Sequence, residues 1–449
     1  MEEFKKKAPS IYQLSLRAFT PEGTLQAAAG LLPHLAELGT KYVELLPVVQ
    51  ADEGEDRKSW SKRQIASETD NPKNNYRIKD YFAIDEEYGT DEDLKDFVTI
   101  AHSLQMGVML DLVYFHCGPN AVFLKDHPDF VKQNSDGSFL TGEWNFPILN
   151  FDNPELREYL WSNMLYFVEK FDIDGYRCDV GDRVPLDFWR EGVERIKRIK
   201  PDFFMLNEGG DPEYLSVFDA NYWLHIPSSE TPAGVEYVIE GKNSADKFCE
   251  YWEKCRRVLS TQGRMSFMIE NHDIASDTGA ERREKKFGTA GMEAFLALGF
   301  TLDGIPFVFN GCEVADDLEH NMFANRFHGR ETGINWANLL REKGKRRLKL
   351  MQTLYMLRNK YAAISSKELI WAEHTAEKNV VAFYRSDERD SFFVMVNLTD
   401  QQVTFEVKNI PHNLHLIKDI VVSNTVYSFE KSEMKVSMLE FGYFIGQYL

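Results

Sequence analysis

From Ile11 to about Ala363 the chain repeats one pattern: a short apolar, strand-like run followed by a stretch of helical periodicity. Eight such runs occur, at 12–16, 42–46, 107–113, 175–179, 203–208, 218–223, 266–271 and 306–309. Most are apolar on successive rather than alternate positions, as expected of strands buried on both faces. Helices fit between them, for example over 25–38, 156–170 and 186–199. Strands alternating with helices imply a parallel sheet, and eight units imply its closure into a (β/α)8 TIM barrel, an α/β fold. At 449 residues the chain has room for a barrel of about 250 residues, insertions and one further module.

Two connections are long. The segment from Val49 to Arg77 is highly polar and reads as an extended loop on the strand C-terminal face. The segment 116–153 is too long for a turn and reads as a short inserted domain after the third strand. Beyond about residue 365 short alternating runs separated by Asn, Asp and Ser indicate an antiparallel β module. The expected division is a barrel over 1–365, the insertion within it, and a C-terminal β-sandwich over 366–449.

Three of the barrel runs lead into acids: Asp174-Gly-Tyr-Arg-Cys-Asp179, Phe204-Met-Leu-Asn-Glu208 and Ile269-Glu-Asn-His-Asp273. Parallel strands in a barrel bring their C-terminal ends to one face, where barrel enzymes keep their chemistry. Asp179, Glu208 and Asp273 are therefore expected in one pocket. A single acid among 71 would most simply be a solvated surface charge, but three at strand ends in this order, with Arg177 and His272 beside them, form a pattern.

Formal net charge is −19, which argues against nucleic acid or an anionic membrane as partner. No run approaches the roughly 18 apolar residues of a membrane helix. The charged start Met1-Glu-Glu-Phe-Lys-Lys-Lys lacks the apolar core of a secretory leader, so a cytoplasmic location is expected. Five cysteines (Cys117, Cys178, Cys249, Cys255 and Cys312) include no CxxC pair or zinc spacing and suit reduced thiols. Cys178, next to Asp179, is expected to face the core.

These acids, read with Asp111-Leu-Val-Tyr-Phe-His116, resemble the four short motifs of the α-amylase family of glycoside hydrolases. Gly39-Thr-Lys-Tyr-Val-Glu-Leu-Leu-Pro47, Asp80-Tyr-Phe-Ala-Ile-Asp-Glu-Glu-Tyr-Gly-Thr90, Leu149-Asn-Phe-Asp-Asn-Pro-Glu155 and Gly304-Ile-Pro-Phe-Val-Phe-Asn-Gly-Cys-Glu313 resemble further family segments in the family's order. The resemblance implies retaining hydrolysis of α-1,4 bonds in malto-oligosaccharides. Asp179 would be the nucleophile, Glu208 the general acid/base, and Asp273 would hold sugar hydroxyls and steady the oxocarbenium-like transition state. Arg177 is expected to keep Asp179 ionised, and like charges from Asp179 and Asp273 to keep Glu208 protonated. His116, His272 and Arg177 would bind substrate, Asp111 would organise Arg177, and Tyr81, or Phe82 beside it, would give the sugar an aromatic wall.

Two alternatives share the resemblance: a 4-α-glucanotransferase, in which a second sugar intercepts the intermediate, and a non-catalytic carbohydrate-binding member. Asp182-Arg183 stand where many endo-acting amylases have Lys-His, and the Val180-x-x-x-Val184…Phe188-Trp189 pattern looks closer to neopullulanases, cyclomaltodextrinases and some gut-bacterial amylases. Arg77 stands where many exo-acting glucosidases have aspartate, which counts against exo action. No cofactor is implied. No metal is expected either: the family's calcium ligands, an Asn and an Asp, are replaced by Phe115 and Ile148, which offer no side-chain oxygen. A homo-oligomer is compatible with the sequence.

Overall fold

The computed structural model describes residues 9–225, 234–259, 263–276, 281–329, 333–430 and 432–448; the charged N-terminal start lies outside them. The strands in chain order are β1 (Ile11–Leu14), β2 (Tyr42–Leu45), β3 (Val49–Ala51), β4 (Ile78–Ile84), β5 (Gly107–Leu112), β6 (Gly175–Cys178), β7 (Phe204–Asn207), β8 (Ala220–Asn221), β9 (Arg264–Met268) and β10 (Ile305–Phe309). Eight of them close a parallel barrel in the order β1-β10-β9-β8-β7-β6-β5-β2. Each of the eight expected runs overlaps one of these eight strands. Ile11, Tyr42, Met109, Phe204, Leu206 and Phe307 are among the buried side chains clustered on the barrel strands. A larger apolar cluster lies between the strands and the surrounding helices.

The helices follow local signals. Asn153 caps Pro154–Phe171 by accepting the N–H groups of Glu155 and Leu156, and Leu186–Ile199 coincides with its expected span. The helix expected over 25–38 is two helices, Leu25–Ala29 and Leu32–Leu38. Pro33, in the first turn of the second, has no N–H with which to continue a helical ladder from the first.

The polar 49–77 connection is an ordered structure. Strands β3 and β4 form a separate antiparallel ribbon, and a short helix, Lys62–Ala66, lies between them. The fully buried Arg77 donates to the carbonyl oxygens of Asp52, Gly54 and Pro72, each at 2.9 Å. The insertion contains two 3-10 turns, Val122–Lys125 and Pro128–Phe130, and isolated antiparallel bridges such as His116–Ile148 and Val131–Leu149.

The C-terminal strands are β11 (Ile370–Trp371), β12 (Val380–Ser386), β13 (Ser391–Asn397), β14 (Val403–Val407), β15 (Lys418–Glu430) and β16 (Glu433–Tyr448). They form one antiparallel sheet where the sequence suggests the two sheets of a sandwich. The reason lies in β16, which pairs with β14 over Met434–Met438 and with β13 over Tyr443–Tyr448. Between these halves Phe441 takes a positive φ of 51°, and side chains from both halves share one core. The module is tied to the barrel by Arg385, which donates to the carbonyls of Thr301 and Ser366, and by the Tyr361–Phe392 ring contact.

Candidate active site

Asp179 and Glu208 each stand one residue beyond a barrel strand, after β6 and β7. Asp273 stands further out, in the first turn of the helix His272–Ser276. All three line one cavity with Tyr76, His116 and His272. At its floor lies Arg177, whose side chain is fully buried. Its Nη1 donates to both oxygens of Asp111 at 2.8 Å and to Oδ1 of Asp179 at 2.9 Å. Its Nη2 lies 2.6 Å from Oε1 of Glu208. Nε donates to the Tyr222 hydroxyl at 3.1 Å. One guanidinium thus touches three carboxyl groups.

Local backbone supports this cluster. Val180, directly after Asp179, adopts left-handed φ 39° and ψ 46°, a strained state for a β-branched residue and one typical of functional sites. It presents its N–H to Oε2 of Glu208 at 2.9 Å. Behind Glu208, the Asp182 carboxylate accepts from the Asn207 amide and from the N–H groups of Gly210 and Asp211. A Cβ on Gly209 would come within 2.1 Å of that carboxylate, so glycine is required there.

Protonation follows from burial. Burial raises the Asp179 carboxyl to about 6, although Arg177 pulls it downward. The expectation that Arg177 would leave Asp179 with a depressed pKa is therefore corrected: removal from water outweighs the guanidinium. Glu208 is pushed further, to about 8, first by burial, with Asp179 and Asp273 adding to it against Arg177. Like charges are thus the secondary cause. Asp273 is held below the usual carboxylate range: burial would raise it, but His272 and Arg63 outweigh burial. Its side chain is 40% exposed, at the rim of the cavity. Burial keeps His116 and His272 neutral, lowered to about 3 and about 4.

Tyr81 lies elsewhere. It is buried beneath the insertion among Tyr114, Phe123 and Tyr159, and its hydroxyl donates to the His116 carbonyl at 2.9 Å. Phe82 packs on Tyr159 and Tyr166. Both face helix and insertion because β4 belongs to the outer ribbon rather than to the barrel. The tyrosine that lines the cavity is Tyr76, stacked on His272 at 5.3 Å between centroids. Its hydroxyl donates to Asp111 at 2.8 Å and lies 2.9 Å from Nε2 of His272.

Sequence reading also missed Gln13, whose Oε1 accepts the His272 N–H at 2.7 Å, and Arg63, which donates to Asp273. Both act across more than 200 residues of chain, so no local motif marks them. Tyr76 had a usable signal: it directly follows the polar Asn74-Asn75 pair at the end of the 49–77 connection.

The residues in the calcium ligand positions do not suit the ion. Phe115 and Ile148 both lie within 3.7 Å of where a Cβ on Gly142 would stand. The Arg183 guanidinium covers the rings of Phe115 and Trp144 at 5.4 and 5.2 Å and pairs with Glu143 at 2.8 Å. A cationic side chain and apolar groups occupy ground where Ca²⁺ would need oxygens.

The sequence profile of the alpha-amylase family (Alpha amylase, catalytic domain) matches residues 3–143 and 133–392. The chain belongs to the alpha-amylase family. Among its relatives in the family is a cyclomaltodextrinase from Bacillus sp, 27% identical over 399 residues, covering 84% of this chain and 65% of that protein. A maltogenic alpha-amylase from Bacillus acidopullulyticus is 24% identical over 420 residues, covering 85% and 64%. The chain thus spans just under two thirds of the length of these curated relatives. The crystal structure of a noncanonic maltogenic alpha-amylase, AmyB from Thermotoga neapolitana, superposes with a TM-score of 0.80 at 23% identity, covering 99% of this chain and 100% of that one. Among the described residues of this family member, no helix is long and apolar enough to cross a membrane.

Proposed function

We propose that this chain is a retaining glycoside hydrolase that cleaves α-1,4-glucosidic bonds of malto-oligosaccharides through a glycosyl-enzyme on Asp179. The observation that carries the reading is the Arg177 guanidinium shared by Asp179 and Glu208 in one pocket. That arrangement supports Asp179 as an ionisable nucleophile beside Glu208, a carboxyl that burial, against the pull of Arg177, keeps protonated near neutrality. In the first step an Asp179 oxygen bonds to the anomeric carbon while the bond to the leaving oxygen breaks and Glu208 gives that oxygen its proton. In the second step Glu208 takes a proton from water, whose oxygen displaces Asp179 with net retention. Asp273, already ionised, suits both sugar hydroxyls and the positive charge that builds on the ring. Neutral His116 and His272 can hydrogen-bond hydroxyls without adding charge.

The names of the curated relatives, cyclomaltodextrinase and maltogenic alpha-amylase, support an α-glucan substrate. The test is hydrolysis of maltohexaose followed by proton NMR, with Asp179→Asn and Glu208→Gln as controls. The α-anomer should appear first, and each variant should lose at least about 10³-fold in kcat, as loss of a nucleophile or acid does. First release of β-anomer, or an Asp179→Asn enzyme keeping more than a few per cent of turnover, would refute the assignment. Predominant formation of longer glucans would favour the glucanotransferase alternative, and no turnover at all the binding-only one.

A further inference from the structure

We infer that the chain removes single glucosyl units from the non-reducing ends of α-glucans, because the side of the site that holds the nucleophile is closed at about one sugar. This rests on the roles proposed above for Asp179 and Glu208 and adds to them the length of substrate that the pocket admits.

Two cavities meet at Glu208 and Asp273. One, of about 120 Å³, contains Asp179. The other, of about 800 Å³, includes Tyr222 and Trp223 and does not include Asp179. The ring that becomes bonded to Asp179 must lie in the first. The leaving group, protonated by Glu208, departs on the Glu208 side; the second cavity opens there at Trp223 and His225 but runs on between β9 and the helices, past Phe248, Trp252 and Phe295. Sites for drug-sized molecules occupy about 300–1,000 Å³, so the small cavity holds one sugar ring, not two in line.

The lining of the small cavity also includes Ser61, Arg63, Trp144, Met322 and Phe323, which we read as the wall on the side away from Glu208. Separate bonds anchor that wall. Arg63 donates to the Asp273 carboxylate and, at 3.4 Å, to its carbonyl. The Asn145 amide donates to the Trp60 carbonyl at 2.9 Å, joining the insertion to the 49–77 segment. The Asn71 amide donates to the Phe323 carbonyl at 2.8 Å, and that of Asn321 to the Ser67 carbonyl at 3.2 Å. Arg77 counted against exo action when read from sequence. It is absent from the cavity lining and instead holds the Asp52, Gly54 and Pro72 carbonyls together, so it builds the segment that carries Arg63. A glucan continuing past the ring on Asp179 would run into this wall. Only a chain end fits, and on that side of the scissile bond the end is the non-reducing one.

The experiment uses the full chain with three substrates: borohydride-reduced maltohexaose, a maltoheptaoside blocked at its non-reducing end by a 4,6-ethylidene group, and cyclomaltoheptaose, which has no end. Early products are separated by anion-exchange chromatography. Glucose should be the first product from reduced maltohexaose, with the blocked and cyclic substrates intact. Maltose or longer fragments as first products, or cleavage of either substrate without a free end at a rate similar to the linear one, would overturn this inference and leave the hydrolase reading standing. No cleavage of any of the three would overturn both. Arg63→Ala and Trp144→Ala, each checked for a cooperative melt, should add maltose to the first products. A glucose-only pattern in both folded variants would overturn the wall as the determinant.

Discussion

Arg177 carries one positive charge and meets three carboxyl groups, so Asp111, Asp179 and Glu208 cannot all ionise without leaving buried negative charge uncompensated. Because burial places Asp179 near 6 and Glu208 near 8, the productive state, ionised nucleophile with protonated acid, is most populated between them. Below about 6 Asp179 gains a proton and loses its nucleophilic lone pair. Above about 8 Glu208 loses the proton it must donate. A pH profile of kcat/KM should therefore be bell-shaped with its top near 7, and its limbs belong to the coupled set rather than to single residues. A flat profile from pH 5 to 9 would refute this. The two tyrosines make a second test. Tyr76→Phe removes the hydroxyl between Asp111 and His272 and should lower kcat/KM about tenfold, whereas Tyr81→Phe should leave kcat/KM unchanged and cost about 1 kcal/mol of stability in a denaturant melt. The acids were legible because each follows an apolar run, but which tyrosine enters the pocket depends on β4 lying outside the barrel, and a five-residue spacing does not encode that.

At the scale of elements, the insertion is held to the barrel end by Arg183 over Phe115 and Trp144, its Glu143 ion pair, and the hydrogen bond from Leu149 N–H to the Phe115 carbonyl at 3.1 Å. Each cation–π contact at such a half-exposed place contributes about 0.5–1 kcal/mol. Arg183→Ala should therefore lower stability by about 1 kcal/mol and make activity fail at a lower temperature, since the insertion carries His116 and Trp144 into the cavity lining. Exhaustive chelation with EDTA should change neither melting temperature nor turnover; a loss restored by Ca²⁺ would contradict the substitution of an arginine for the ion. The eight barrel strands were readable from continuous apolar runs; the break at Pro33 was missed by the single helix expected over 25–38, although proline's missing donor marks it. The wall formed by the 57–76 segment was not readable, because its anchors at Asn145, Asp273 and Asn321 are supplied by other elements.

At the scale of the whole molecule, barrel and C-terminal sheet share buried polar contacts as well as apolar ones. Arg385 is fully buried and donates to the carbonyls of Thr301 and Ser366 and, at 3.5 Å, to the Ser366 hydroxyl. Arg385→Met would leave these oxygens without donors at about 1–3 kcal/mol each, so the melting temperature should fall by several degrees; an unchanged melt would show that the sheet is not coupled to the barrel through this residue. The antiparallel character of the module was visible in its alternating runs, but its single bent sheet depends on the backbone at Phe441, a bulky residue that gives no hint of positive φ. Closure of the barrel has a further consequence. Strand β1 pairs with β10, Ile11 opposite Phe307, so the ring cannot be completed until the ribosome has passed residue 309. At about 5–20 residues per second, a nascent chain carries Glu208 for about 5–20 s before its last barrel strand is made. During that interval β1 and its neighbours expose unpaired edges, and the cell must keep an apolar half-barrel from pairing with another chain.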